Sequence, residues 1–198
     1  MAEELRKSGI AAVGDKPWGT HFCHFYETKE DLLDVVVPYF KAGLESKELC
    51  LWAVLYPLTE EDAKNALKAA VPQADRRLAT GDIEIVPYSQ WYLKDGAFDI
   101  ERVINACKEK LREALTRGYS GLRLNGNETW PLRTDWGEFS QYEQKLDQSI
   151  ANERIIVLCS YPAAAARAAH AFEVARMHEF AIAKRKGRWE VLKSMSSS

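Results

Sequence analysis

The chain has 198 residues, of which 46% are hydrophobic and 28% are charged, and its formal net charge is -2. This length and composition predict one soluble globular domain with a substantial buried core. The acidic and basic residues are interspersed without a basic stripe, which argues against direct nucleic-acid binding. No apolar run approaches the roughly 20 residues that a membrane span requires.

The two ends of the chain differ from the region between them. Residues 1–19 are polar and contain three glycines and a proline, which predicts a short helical start followed by an arm. The serine-rich residues 194–198 predict a frayed tail or the start of a linker, as in a module of a longer chain. The N-terminus lacks the apolar core of a signal peptide and the four cysteines are scattered, so we expect a cytoplasmic domain over residues 20–193.

Strand and helix patterns alternate through this domain. The first strand is His21–Tyr26, and the helix after it contains Pro38, where we expect a kink or an early end. Residues 49–55 form a nearly continuous apolar run, which is typical of a strand buried on both faces. A helix capped by Thr59 follows, with acidic residues in its first turn.

The second half continues the alternation. A strand at 83–88 leads to an aromatic loop at 89–97, and a long helix then runs from Asp99 towards Gly118. The remaining predicted elements are a strand at 121–125, a helix capped by Asp135, a buried strand at 154–159, an alanine-rich helix, and a hairpin of 179–183 with 189–192.

This order of elements predicts an α/β fold, a three-layer αβα sandwich with a mostly parallel central sheet and a C-terminal β-hairpin. In such sheets ligands bind beyond the carboxyl ends of the strands. The predicted strand ends are rich in polar and aromatic residues, namely Tyr26, Glu27, Tyr56, Tyr88, Asn125, Asn127, Glu128, Cys159 and Tyr161.

The turn after the first strand lacks the features of a phosphate-binding loop. Such a loop needs glycines whose backbone N–H groups surround the phosphates, with a lysine and a hydroxyl group. Residues 26–31 contain no glycine and three acidic residues, which would repel a triphosphate. No GxGxxG motif follows any strand, so neither nucleotide hydrolysis nor dinucleotide binding is expected.

The first strand concentrates potential metal ligands. His21 and Cys23 share one face of the strand, whereas His24 lies on the other, so these three residues cannot bind one ion together. Cys159 from another strand, or His178, could complete a site with His21. Because the spacing is unspecific, we assign no metal and no cofactor, and a metal- or haem-dependent redox sensor remains an alternative.

Three of the candidate residues could serve either catalysis or binding. Cys159 could be a nucleophile, but a catalytic cysteine needs a partner that lowers its pKa, and a buried thiol is the more common outcome. Glu27 and Glu128 could form an acid–base pair, or accept hydrogen bonds from a polar ligand, or pair with Arg123. We favour binding over catalysis and therefore predict a non-enzymatic protein.

Aromatic residues near the strand ends leave two interpretations open. Trp91, Tyr92 and Trp130 could line a small-molecule pocket or simply pack, because aromatic side chains serve both roles.

Eight short segments form an ordered set of motifs along the chain. The first reads WGTHFCHFYE at residues 18–27. The others are residues 38–44, 48–52, 81–85, 91–93, 121–123 with 126–127, 158–161 and 178–181.

This ordered set resembles the MEDS family, the methanogen/methylotroph sensory domains of bacterial and archaeal signalling proteins. The resemblance implies a RecA-type sheet, akin to circadian-clock ATPases, that has lost its phosphate-binding loop. It also implies a sensory role beside histidine kinases or transcription regulators, with small hydrocarbon derivatives as ligands. One departure is Pro162 with alanines at 163–166, where relatives are more polar.

We therefore predict a sensory domain that binds a small molecule and passes a signal to a histidine kinase or regulator output domain. The alternatives are the metal or haem sensor above and a degenerate ATPase-like interaction module, for example a homodimer. The predicted ligand-binding residues are His21, His24, Tyr26, Glu27, Arg123, Asn125, Asn127, Glu128, Trp130, Cys159 and Tyr161.

Overall fold

A computed structural model describes residues 4–127, 136–163, 168–185 and 188–193. The strands are β1 (Leu5–Arg6), β2 (Lys16–Pro17), β3 (His21–Tyr26), β4 (Leu49–Val54), β5 (Ile83–Pro87), β6 (Leu93–Lys94), β7 (Ala97–Phe98), β8 (Leu122–Asn127), β9 (Ile155–Pro162), β10 (Phe180–Arg185) and β11 (Arg188–Lys193). The helices are α1 (Lys29–Glu45), α2 (Glu60–Ala70), α3 (Ala74–Ala79), α4 (Tyr88–Tyr92), α5 (Ile100–Thr116), α6 (Trp136–Ile150) and α7 (Ala168–Met177).

A seven-stranded sheet forms the centre of the fold, in the order β11-β10-β3-β9-β8-β4-β5. All neighbours are parallel except β10 and β11, which form the antiparallel C-terminal hairpin. The predicted mostly parallel sheet and hairpin are confirmed. Among the described residues, no helix combines the length and apolar character that crossing a membrane requires.

Helices cover both faces of this sheet because its strands are apolar on both sides. Every residue of β4 is buried, for example. One core lies between the sheet and α1, α2 and α3, and we call this side the α1 face. The second core lies under α4, α5, α6 and α7, and we call this side the α6 face. The three-layer αβα arrangement is therefore confirmed.

Helix starts follow the predicted capping chemistry. The Thr59 side chain accepts a hydrogen bond from the backbone N–H of Asp62, whose carboxylate accepts from the Thr59 N–H in return, forming a capping box. Asp99 caps α5 by accepting from the Arg102 N–H at 2.9 Å. The Asp135 cap that the sequence predicts lies outside the described residues.

Three local predictions were wrong. The described part of the N-terminal arm holds the two-stranded ladder of β1 and β2, where a helical start was expected. Helix α1 continues through Pro38 to Glu45, because its buried apolar face outweighs the hydrogen bond that proline removes. The aromatic segment predicted as a loop folds into α4 and the β6–β7 ladder, stabilised by stacking of Tyr88 on Tyr92 at 4.7 Å between ring centroids.

Candidate functional site

The sheet separates the predicted site residues into two groups. Side chains alternate along β3, so His21 and Cys23 lie on the α6 face and His24 and Tyr26 on the α1 face. The predicted site residues were expected to converge at the carboxyl ends of the strands, but they form two separate groups on opposite faces of the sheet. The α6 face holds His21, Cys159 and Tyr161, and the α1 face holds His24, Tyr26, Arg123, Asn125 and Asn127.

On the α6 face, His21, Glu143, Cys159 and His178 form one buried cluster, which we call the His-Glu-Cys-His cluster. Each residue offers one atom that could ligate a metal ion, and these four atoms all lie within 4.8 Å of one another. His21 Nε2 is 3.4 Å from Cys159 Sγ and 3.4 Å from Glu143 Oε2. His178 Nε2 is 3.3 Å from the same carboxylate oxygen. All four side chains are almost fully buried, so their polar atoms interact with one another in a medium of low polarity.

A second layer of contacts orients the cluster. Tyr161 donates a hydrogen bond of 2.7 Å to Glu143 Oε1, which leaves Oε2 directed at the imidazoles. His178 Nδ1 lies 2.7 Å from the carbonyl oxygen of Val174, and a carbonyl only accepts, so Nδ1 carries the proton. Burial and the neighbouring His21 lower the pKa of His178 well below its usual range, so His178 is neutral at physiological pH. On the outer side, His21 Nδ1 is 3.4 Å from Asp147 Oδ1.

Four elements bring the cluster together. His21 begins β3, and Cys159 lies in the middle of the neighbouring strand β9. Glu143 is one helical turn before Asp147 in α6, so both carboxylates face β3. His178 lies in the short link between α7 and β10. The backbone N–H of the next residue, Glu179, donates a hydrogen bond of 2.9 Å to the carbonyl of His21, which ties this link to β3.

A pocket of about 280 Å³ opens from the cluster to the surface, at the amino end of β3. We call it the β3 pocket. Buried His21 and His178 form its floor, and the exposed Arg176 and Glu179 lie at its rim. Its lining residues are Gly19, His21, Asp147, Arg176, Met177, His178 and Glu179.

A larger open groove of about 410 Å³ lies between the N-terminal arm and α1. Its buried polar side chain, Ser8, already donates to and accepts from the backbone of Ile10. This groove contains none of the predicted site residues.

The polar residues at the carboxyl ends on the α1 face mostly bond to one another. Tyr26 donates to Asn127 Oδ1 at 2.8 Å, and burial raises the pKa of this tyrosine to about 12. Asn127 in turn donates to the carbonyl of Leu55 at 2.9 Å. Asn125 donates to the carbonyl of Leu158 and to Ser160 Oγ. These contacts tie β3, β4, β8 and β9 together.

His24 is the exception on this face. It is buried beside Tyr26 and Trp189, and neither ring nitrogen has a hydrogen-bond partner within the described chain. Burial lowers the pKa of His24 to about 3.

Arg123 does not lie at the carboxyl ends of the strands, where the ligand site was predicted. It is the second residue of β8, at the opposite end from the carboxyl edge, and its Nε donates to Glu48 Oε2 at 2.5 Å in a fully buried ion pair. It also donates to the backbone carbonyl of Tyr39 at 3.0 Å and lies over that ring. Arg123 is therefore held by Glu48 inside the protein and is not positioned to bind a ligand at the carboxyl ends of the strands. The alternative partner Glu128, and Trp130, lie outside the described residues.

The turn after β3 contains no phosphate loop. Only Glu27 and Thr28 separate β3 from α1, and Glu27 is exposed. The Thr28 side chain caps the helix by accepting from the N–H of Asp31 at 3.1 Å. Because the turn is this short and its hydroxyl is occupied, it cannot surround phosphates as a P-loop does.

Sequence reasoning missed Glu143 and named His178 only as a possible completing ligand. The signal for Glu143 was its position on the inward face of α6. Phe139, Tyr142, Leu146 and Ile150 follow the spacing of a buried stripe, and an acidic residue inside that stripe indicates a buried carboxylate with a partner.

The sheet order, the three layers and the glycine-free turn define a RecA-like α/β domain that lacks the phosphate loop. Two solved structures share this fold. The first is a KaiC-like protein from Pyrococcus horikoshii OT3, with a TM-score of 0.68 and 14% identity over 98% of this chain and 90% of that one. The second is the flagellar accessory protein FlaH from Methanocaldococcus jannaschii, with a TM-score of 0.62 and 10% identity over 96% of this chain and 88% of that one. At these identities the likeness shows the fold alone.

The chain belongs to the MEDS family, described as the MEthanogen/methylotroph, DcmR Sensory domain, whose model matches residues 20–179. The resemblance inferred from the ordered motifs is confirmed, and a sensory role at the level of the family follows from it. A search of curated proteins found no match to this chain. All four residues of the His-Glu-Cys-His cluster lie within the matched range.

Proposed function

We propose that this chain is a non-enzymatic sensory domain that binds a small molecule in the β3 pocket. The observation that carries the proposal is a pocket of about 280 Å³ whose floor is formed by two buried histidines. Pockets with few, convergent polar groups on a buried floor are typical small-molecule sites. Family membership supplies the sensory role.

The lining of the β3 pocket suggests the chemistry of the ligand. The imidazole of His21 offers a polar contact at the floor and the thioether of Met177 offers apolar surface, while Asp147, Arg176 and Glu179 add charged groups to the lining. A compact molecule with a charged or hydrogen-bonding group and a short apolar part fits this lining. Small alcohols and short carboxylates are such molecules, and halocarbons are added because the family resemblance implies hydrocarbon derivatives as ligands.

Nucleotide hydrolysis is disfavoured by the turn between β3 and α1. That turn has two residues, no glycine, and is followed by Glu30 and Asp31 in the first turn of α1. Asp31 also pairs with Lys184 at 3.2 Å, so a nearby lysine is already engaged by carboxylates. This arrangement supports a sensor that has kept the RecA-like sheet without its phosphate chemistry.

The C-terminal hairpin provides a route for the signal. His178 and Glu179 immediately precede β10, and the Glu179 N–H is bonded to the carbonyl of His21. A ligand in the β3 pocket therefore contacts the segment that sets the position of the β10–β11 hairpin. Strand β11 is the exposed edge of the sheet, with Leu192 on its surface. We propose this edge as the contact for a histidine kinase or regulator output domain.

A thermal-shift screen tests the proposal. Small alcohols, short carboxylates and halocarbons are added to the purified chain, and at least one is expected to raise the Tm. The variant Glu179→Trp places a large ring at the rim and should abolish that shift. Glu173→Trp introduces the same ring at an exposed position of α7 outside the pocket and should preserve it.

Two results contradict the sensor proposal. One is the absence of stabilisation by any compound together with enzymatic turnover of a screened substrate. The other is a stabilising compound that affects Glu179→Trp and Glu173→Trp equally, since its site would then lie outside the β3 pocket.

A further inference from the structure

The geometry points to a transition-metal site of the kind that holds Zn²⁺, built by the His-Glu-Cys-His cluster. The four residues are His21, Glu143, Cys159 and His178. Their short contacts assign the ligating atoms as His21 Nε2, Glu143 Oε2, Cys159 Sγ and His178 Nε2. The inference goes beyond the proposed function, because the metal would lie beneath the floor of the β3 pocket and does not require a small-molecule ligand.

The hydrogen-bond roles in the cluster leave lone pairs facing one another. The proton of His178 lies on Nδ1, which donates to the carbonyl of Val174, so Nε2 presents a lone pair. That lone pair lies 3.3 Å from Oε2 of Glu143, which is also an acceptor. Two buried acceptors at this distance repel each other unless a proton or a metal cation lies between them. A divalent ion bound to both atoms removes this repulsion.

The distances suit tetrahedral coordination. Zn²⁺ binds imidazole nitrogen and carboxylate oxygen at about 2.0–2.2 Å and thiolate sulfur at about 2.3 Å, so its ligand atoms lie about 3.3–3.6 Å apart. Three pairs in the cluster, His21 with Cys159, His21 with Glu143 and His178 with Glu143, are separated by 3.3–3.4 Å. The remaining pairs are no more than 4.8 Å apart, so side-chain movements of about 1 Å would bring all four atoms to tetrahedral spacing.

The outer contacts are those of a metal site. Ligating histidines usually donate their other N–H to a carbonyl or carboxylate, which fixes the ring and its tautomer. His178 does so to Val174, whereas His21 Nδ1 lies 3.4 Å from Asp147 Oδ1 without forming a hydrogen bond. The second carboxylate oxygen of Glu143 is held by Tyr161.

The ligand set selects the type of metal. One thiolate, two imidazoles and one carboxylate favour Zn²⁺ or Co²⁺ over Mg²⁺ and Ca²⁺, which prefer oxygen ligands alone. Four protein ligands also close the coordination shell. Such a site stabilises the fold and leaves no open position for catalysis, which is consistent with a non-enzymatic domain.

Metal titration of the whole chain tests the inference. After treatment with a chelator, the protein should bind one equivalent of Zn²⁺ and its Tm should rise. Co²⁺ in place of Zn²⁺ should give tetrahedral absorption bands and a thiolate-to-metal charge-transfer band. Outer-shell changes alone weaken metal sites by about 10–100-fold, so losing the thiolate in Cys159→Ser should weaken binding by more than about 100-fold.

Cys107→Ser is the matched control. Cys107 is also a buried thiol on the α6 face, but it is not part of the cluster, and burial raises its pKa to about 12. This variant should keep one equivalent of Zn²⁺ and the Co²⁺ charge-transfer band. A chain that binds no Zn²⁺ at one equivalent, or a charge-transfer band that survives Cys159→Ser, would overturn the inference.

Glu143→Gln separates a metal site from a purely structural cluster. Glutamine keeps an oxygen for Tyr161 and offers an amide N–H to the lone pair of His178. In the metal-free protein it should raise the Tm, because it removes the repulsion, and it should abolish the further rise caused by Zn²⁺. A lower Tm without metal and an unchanged response to Zn²⁺ would show that Glu143 pairs with a protonated histidine, and would overturn the inference.

The metal inference and the sensor proposal fail separately. A chain that binds Zn²⁺ as described but none of the screened small molecules supports the metal site and contradicts only the sensor pocket. A chain that responds to a small molecule through the β3 pocket and binds no metal contradicts only the metal site.

Discussion

His24 and Arg123 illustrate how this domain treats buried polar side chains. Arg123 has a carboxylate and backbone carbonyls around it, whereas the imidazole of His24 has no hydrogen-bond partner in the described part of the chain. The guanidinium of Arg123 is therefore charged inside the protein, whereas the imidazole of His24 is neutral. Stability should depend on the countercharge of Arg123 and on the protonation of His24.

The neutral state of His24 makes stability depend on pH. Its pKa is lowered to about 3 in the folded protein, against a value of about 6.5 when unfolded, so the unfolded chain binds the proton first as the pH falls. The free energy of unfolding should therefore fall by up to about 1.4 kcal/mol per pH unit between pH 6.5 and pH 3.

Urea unfolding at pH 7.5 and pH 5.0 measures this effect. Between these values the parent chain should lose about 2 kcal/mol more stability than His24→Phe, which has no proton to bind at this position. His21 and His178 are present in both proteins and cancel in the comparison. Equal losses in the two proteins would mean that His24 is not held neutral by burial.

The buried Arg123–Glu48 pair should be essential for stability. Glu48→Gln leaves the guanidinium buried without its countercharge, which typically costs about 3–5 kcal/mol. Glu101→Gln, which removes one side of the exposed pair with Lys145, should change the free energy of unfolding by less than about 1 kcal/mol. Urea unfolding of both variants checks this, and similar small effects would contradict a structural role for Arg123.

At the scale of the element, helix α1 is shaped around this same pair. A Cβ atom at Gly43 would lie 2.6 Å from both Cδ and Nε of Arg123 and 3.1 Å from the sulfur of Cys50. Arg123 is held by its hydrogen bonds and cannot move away cheaply. The absence of a side chain at Gly43 is therefore what lets α1 pack closely on the sheet.

Gly43→Ala should consequently destabilise the protein. Alanine at a helix interior usually gains about 1 kcal/mol over glycine, but overpacking here should cost about 1–3 kcal/mol. Asn105→Ala, at an exposed position of α5, is the control and should leave stability unchanged or slightly raised. Thermal unfolding of the two variants measures the contrast, and a stabilised Gly43→Ala would contradict the close packing.

The elements show which features the sequence could predict. The apolar run of β4 and the Thr59 cap have local causes, and both were predicted correctly. Continuation of α1 through Pro38, and folding of the aromatic segment into α4, depend on packing against residues distant in sequence. The place of Glu143 inside the apolar stripe of α6 was a local signal that it is buried, but only the assembled sheet reveals which groups its carboxylate meets.

At the scale of the whole molecule, the sheet decided how the predicted site residues are distributed. Alternation along β3 was anticipated, and it correctly separated His21 from His24. The expectation of one site at the carboxyl ends was wrong for His21, whose cluster opens at the amino end of β3. At its carboxyl end, β3 is followed only by Glu27 and Thr28 before α1 begins.

The loss of the phosphate loop makes a prediction for the whole fold. ATP with Mg²⁺ should leave the Tm unchanged, because the turn between β3 and α1 has no glycine-rich backbone that could receive its phosphates. Lys29 is engaged by Asp62 at 2.7 Å and should not act as a phosphate-binding lysine. A rise in Tm with ATP that disappears in Lys29→Ala would contradict this conclusion and would indicate a nucleotide-binding site.

Hydrogen–deuterium exchange on the whole chain is the most direct test of the proposed sensor. The alcohol, carboxylate or halocarbon that raises the Tm most is added, and exchange is compared with and without it. We predict slower exchange in the segment from Arg176 through β10 and at the start of β3, since these residues line the pocket and lead into the hairpin. Protection confined to the turn between β3 and α1, with no change in β10, would contradict the proposed site.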